Sequence, residues 1–257
     1  MSRRRMRVRA LTAAVAMGLL LSGCTGQPDP EPPPPPEGVD LSAIDPDDTE
    51  RNGVWYLSGE DALRQVIDAA RKAGGVTMEG TVTERLVLGE DAPPTPGRSI
   101  RLSVQGTPSD YTASVTAGAI RVEIIAAEGA AHVTGNQALA AVTGVPEIAE
   151  GFVCVTPGDP LLTQWRALLS PAEFLTSIVD SGAVTASATP PREGAETVDI
   201  VLDSGGSPLG VLTVSAVGKP LPLRFDGADT SGEAGLTFTG WGEASEIPEP
   251  SPVARGC

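Results

Sequence analysis

Ser58-Gly-Glu-Asp-Ala-Leu-Arg-Gln-Val-Ile-Asp-Ala-Ala-Arg-Lys-Ala-Gly-Gly-Val-Thr-Met-Glu-Gly-Thr-Val82 changes its period partway along, and that change sets the fold class. In the first part Leu63, Val66, Ile67 and Ala70 recur at i, i+3, i+4 and i+7, while Asp61, Arg64, Asp68, Arg71 and Lys72 face away. That spacing puts one apolar stripe on a helix. Ser58 is a good N-cap with Asp61 three residues on, and Gly74-Gly75 supplies the stop. From Val76 the apolar positions alternate with polar ones, the signature of a strand buried on one face. A helix with a single stripe needs a partner, and the simplest partner is that sheet.

Downstream the period of two persists. Strands are expected over 76–88, 98–105, 111–117, 120–127, 130–134 and 152–155, with a loop over 91–97 and a hairpin at Gly118. Ile120, Val122 and Ile124 alternate with Arg121 and Glu123, so one face is buried and the other wet. Residues 136–150 read ambiguously, with a short helix ahead of Pro146 as one solution. Asp159-Pro160 then opens a helix carrying Leu161, Leu162, Trp165, Leu168 and Leu169. Ser170-Pro171 with Glu173 opens another, carrying Phe174, Leu175, Ile178 and Val179 up to Gly182. A final meander is expected over 197–202, 210–216, 221–226 and 236–241. About ten antiparallel strands and three main helices make an α+β domain with one large curved sheet.

Upstream, the chain reads as an address. Arg3, Arg4, Arg5, Arg7 and Arg9 precede an apolar stretch from Ala10 to Leu21. That stretch of about 12 residues falls short of the ~20 that span a membrane, so residues 1–23 read as a signal peptide. Leu21-Ser-Gly-Cys24 ends it in the pattern of lipoprotein processing sites, which makes Cys24 the acylated first residue of the mature chain. Residues 24–57 follow as an acidic, proline-rich tether, with Pro32 to Pro36 at its centre. Proline stiffness and like charges extend such a segment. Residues 58–247 form the domain, and 248–257 a C-terminal tail. The expected location is the extracytoplasmic face of a membrane, held by lipid.

Charge narrows the partners. The whole chain carries a net charge of −15; without the leader, 13 basic residues face 33 acidic ones, near −20. Nucleic acid is excluded as a partner, since phosphate binding needs a basic footprint. Once Cys24 is acylated, Cys154 and Cys257 are an even pair in an oxidising compartment and are read as a disulfide. Its loop of about 100 residues would stabilise the fold by roughly 4–5 kcal/mol on the chain-entropy estimate. The competing reading leaves Cys257 on a frayed tail.

No motif carries catalysis. His132 is the one histidine, sits in an expected strand, and has no Gly-x-Ser-x-Gly elbow to accompany it. There is no Cys-x-x-Cys, acidic calcium loop or phosphate-cradling Gly-x-x-x-x-Gly-Lys, so no enzyme activity, metal or cofactor is assigned. What remains is geometry. A curved sheet covered by few helices must fill its concavity with side chains or leave a cavity.

The ordered set of lipobox, tether, capped helix, long meandering strands, paired helices and final meander resembles the mycobacterial LppX/LprA/LprF/LprG lipoproteins. The local points of likeness are Leu236-Thr-Phe-Thr-Gly-Trp-Gly-Glu243 and the run from the first helix through Gly74-Gly75 into Val82. Cys154, Cys257 and the dense proline tether stand outside that pattern. The resemblance implies a U-shaped half-barrel, also seen in carriers of the LolA type, with helices on its concave side and a cavity for acyl chains. It implies binding, and transport, of acylated lipids or lipoglycans, with an envelope transporter as a further partner. On that reading Leu63, Val66, Ile67, Ala70, Trp165, Leu168, Phe174 and Ile178 are the cavity candidates, although a filled core would use the same residues. The rival reading is a non-enzymatic interaction or sensor module presented at the envelope.

Overall fold

In the computed structural model, residues 50–86, 95–180, 184–192, 194–204, 206–228 and 235–257 are described. The leader, Cys24 and most of the tether lie outside that set. So do residues 87–94, which include the end of the first expected strand and part of the loop after it, and Gly182.

Alternation from Val76 onward resolves into two meanders joined in one open sheet. The first holds β1 (Val76–Leu86), β2 (Thr95–Gly106), β3 (Tyr111–Ala117), β4 (Ile120–Ala127), β5 (Ala130–Gly135) and β6 (Phe152–Val155), side by side in chain order. The second holds β7 (Val184–Ala188), β8 (Thr197–Ser204), β9 (Ser207–Ser215), β10 (Pro222–Gly227) and β11 (Gly235–Thr239), and its last strand pairs with β1. There Thr77 faces Thr239 and Met78 faces Phe238. A short β12 (Val253–Arg255) lies parallel to β6 at the far edge; the other pairs are antiparallel. The sheet thus has twelve described strands, not about ten. The two extra ones had weak signals, since β7 is Val-Thr-Ala-Ser-Ala and all three residues of β12 are exposed.

Helices cover the buried face because the chain must cross it. β6 and β7 lie near opposite edges, and the segment between them makes the crossing. Before that segment come α1 (Gly59–Arg71) and α2 (Gln137–Thr143); within it lie α3 (Pro160–Thr163) and α4 (Pro171–Asp180). α1 forms as its sequence dictates: the Ser58 hydroxyl accepts from Asp61 N–H at 3.2 Å, and Ala62, Leu63, Val66, Ile67 and Ala70 are buried. The single helix expected over 160–169 is instead α3 followed by a 3-10 turn at Arg166–Leu168. Trp165 N–H donates to Leu162 C=O and Leu168 N–H to Trp165 C=O, bonds of i−3 spacing that tighten the chain. Trp165 lies at the break and is buried, so tertiary packing overrides helix continuity. α4 starts where read, with Ser170 Oγ accepting from Glu173 N–H at 3.1 Å.

The sheet contributes Met78, Leu102, Val115, Ile124, Ile200, Leu212 and Phe238 to the core, each no more than 2 % exposed. Phe174 of α4 meets Phe225 of β10 edge to face at 5.3 Å. Two close approaches require glycine. A Cβ on Gly59 would collide with the Ala186 carbonyl of β7, and one on Gly75 with the Glu243 carbonyl. The second is informative, because Gly242 N–H also donates to Gly75 C=O at 2.8 Å. The Gly74-Gly75 stop and the Gly240-Trp-Gly242 turn are therefore one packed unit. Trp241 Nε1 completes it by donating to Pro222 C=O at 2.8 Å.

The folded unit extends beyond 58–247 at both ends. Val54 and Trp55 are buried, Asn52 Nδ2 donates to Ser215 C=O at 2.8 Å, and the Arg51 guanidinium stacks over Trp55 at 5.2 Å. The last residues of the 24–57 segment are thus part of the domain. The C-terminal tail supplies β12, and Cys257 is bonded to Cys154 with a Cα–Cα distance of 5.1 Å.

Candidate functional site

Where α1 ends and the crossing segment passes over the sheet, packing is incomplete. A groove of about 420 Å³ remains there. Its floor is Val76, Val104, Gly106 and Tyr111, at the adjoining ends of β1, β2 and β3. Its roof is Leu162, Leu169, Pro171 and Ala172, and Ala70 and Gly74 close one side. The turn at Thr107-Pro108 and Pro157 complete the border. Short pieces of helix explain the space: α3 is one turn long and cannot lay a continuous ridge onto the strands below.

The mouth is polar. Arg71 is held between Asp68 Oδ1, at 3.2 Å, and Thr176 Oγ1, at 3.1 Å, so it ties α1 to α4. Arg166 Nε meets Glu173 Oε2 at 3.1 Å. The Arg71 and Arg166 side chains are 48% and 72% exposed, so their charges remain in water. Inside, burial pushes the Tyr111 phenol up from its ordinary pKa, which keeps it neutral. Near the roof, Trp165 carries a buried indole N–H with no acceptor among the described residues. An apolar interior with a few polar groups at its entrance can take a hydrocarbon chain and leave a polar end at the surface.

Among the cavity candidates, Ala70 borders the groove. Leu63, Val66, Ile67, Trp165 and Phe174 are buried in the core, with Leu168 and Ile178 half-buried against it. The lining that sequence reasoning did not single out is Val76, Val104, Tyr111, Leu162, Leu169 and Ala172. A signal was present in Gly106-Thr-Pro108, Pro157 and Ser170-Pro-Ala172, small or ring-closed residues that cannot fill space. Cys24 lies outside the described residues. Among those residues no helix is long and apolar enough to cross a membrane.

The opposite face of the sheet carries a shallower, polar hollow between β1, β2, β3, β10 and β11. Two of its charges pair, Arg224 with Asp226, and Ser103 donates to Glu79 at 3.0 Å. The Arg224 pairing holds the Asp226 carboxyl below the usual carboxylate range.

No protein-family model and no curated protein matches the chain. Among solved structures, LprF from Mycobacterium bovis is similar over 76% of this chain and 99% of its own, at 14% identity and a TM-score of 0.37.

Proposed function

We propose that this chain is a lipid-anchored extracytoplasmic protein that seats an acyl chain of a membrane lipid or lipoglycan in the groove beside α1 and carries it within the envelope. The observation that supports the reading is the groove itself, about 420 Å³ of mostly apolar space with its charged groups at the mouth. Withdrawing an acyl chain from a bilayer costs about 0.8 kcal/mol per methylene, and an apolar groove offsets that cost without any catalytic residue. The Cys24 anchor and acidic tether fit the same task. Acyl groups on Cys24 would hold the protein at the membrane, while the body, near −20, is repelled by anionic headgroups. Electrostatics would then keep the domain off the surface except when it collects or delivers a chain.

The test is transfer between vesicles. Donor vesicles carry a lipid with a self-quenching fluorescent acyl chain, acceptor vesicles carry none, and the protein is added in catalytic amount. Dequenching faster than the spontaneous rate, in proportion to protein, is expected. An unchanged rate would contradict the carrier and favour an interaction module at the envelope.

A further inference from the structure

We propose that His132, Cys154 and Cys257 form a Cys2His site for zinc, or a cation of like softness, whenever the Cys154–Cys257 bond is open. The three residues meet on the face of the sheet opposite the groove. In β5 and β6, Ala131, Val133, Val153 and Val155 are buried in the core, so alternation sends His132 and Cys154 to the other side. They are direct cross-strand partners. Cys257 arrives from beyond β12, and His132 Nε2 lies 3.8 Å from its sulfur. All three donor atoms fall within 4.8 Å of one another. A tetrahedral zinc centre needs sulfur and nitrogen donors about 3.6–3.8 Å apart. One edge therefore already has the required length. The two sulfurs must separate, and the remaining donors, within 4.8 Å, must settle by about an ångström or less.

Separation is geometrically accessible. Cys257 is exposed, and every residue of the strand before it is exposed as well, so the tail can retreat without opening the core. The chemistry is a two-electron step. A dithiol reductant gives two electrons and two protons to the Cys154–Cys257 bond and becomes a disulfide itself. Zinc then binds the two sulfurs as thiolates and releases two protons. Two thiolates and an imidazole select zinc over calcium or magnesium, which prefer oxygen donors. The fourth position is left to solvent. β12 would then be pinned beside β6 in either state, by a covalent bond or by a metal. His132, which has no catalytic motif around it, acquires a role as the ligand that distinguishes this site from a bare thiol pair.

Cobalt(II) is the probe, added to the full chain carrying Cys24→Ser so that Cys154 and Cys257 are its only thiols. After dithiol reduction and removal of the reductant, one cobalt per chain should bind with intense visible d–d bands and a near-ultraviolet thiolate-to-metal band. Zinc should displace it and magnesium should not. His132→Ala should weaken binding by at least about tenfold, because even outer partners of metal ligands cost 10–100-fold. The unreduced chain should show neither band. If the reduced chain loses its native circular dichroism, zinc should restore it. Absence of the thiolate band, failure of zinc to restore a lost fold, or equal binding by His132→Ala would each overturn the site.

Discussion

The same sheet face is sealed under one helix and left hollow under the next. α1 lays thirteen residues across the strands and buries Leu63, Val66 and Ile67 to 8 % exposure or less. The crossing segment reaches α4 through a one-turn helix and a 3-10 turn, and leaves a groove of about 420 Å³. Both regions are rich in large apolar side chains, so hydrophobicity does not separate them. Continuity does. A long amphipathic helix presents a ridge that fits a groove between strands, whereas a chain that keeps turning presents isolated side chains with space between.

The sharpest way to break that contrast is a charge in each half. Ile67→Arg buries an unpaired charge in the sealed half and should cost about 3–5 kcal/mol, enough to abolish the near-ultraviolet circular dichroism of the domain. Leu162→Arg, at the half-buried groove wall, should keep that signal and lose acyl binding instead. If both unfold, the groove is part of the core. Gly59→Ala probes how closely α1 is seated, since its methyl would meet the Ala186 carbonyl. A loss of about 1–3 kcal/mol in urea titration is expected. Ala172→Leu fills the hollow half. Its stability should change by less than about 1.5 kcal/mol, because space exists for the added atoms, while affinity for an acyl probe falls. Smallest is Glu84→Gln, outside both regions. The Arg98 guanidinium, at 2.6 Å, holds the Glu84 carboxyl below its ordinary value. A group with a lowered folded-state pKa stabilises the fold above the unfolded carboxylate pKa and loses that contribution as pH falls through the folded value. The variant should cost less than about 1 kcal/mol at neutral pH and flatten the acid side of the stability curve.

The sealed half was legible in sequence because its information is local. Ser58, the 3-4 spacing from Leu63 to Ala70 and the Gly74-Gly75 stop each act within a few residues, and α1 forms with them in place. β3, β4 and β6 likewise run over the residues expected for them, and β3 alternates from end to end. The hollow half was not legible, because its cause is non-local. Helical spacing from Leu161 to Leu169 is sound, yet the chain breaks into a 3-10 turn beside a buried Trp165. Groove walls such as Val104 and Tyr111 look like ordinary strand residues; what makes them walls is the brevity of the helix above. β7 and β12 were missed for a related reason, being edge strands with little apolar alternation. His132 could have been placed opposite Cys154 only from the β5–β6 register, which no local pattern fixes.

The central claim is that the groove holds an acyl chain, and native mass spectrometry tests it most directly. The chain is produced with Cys24→Ser in a host rich in envelope lipids and sprayed from volatile buffer, with Ala172→Leu alongside. Discrete adducts are predicted on the parent chain, lost on denaturation, recovered as acylated lipid in organic extract, and diminished in Ala172→Leu. A bare mass that stays bare after incubation with those lipids, or adducts indifferent to Ala172→Leu, would contradict it.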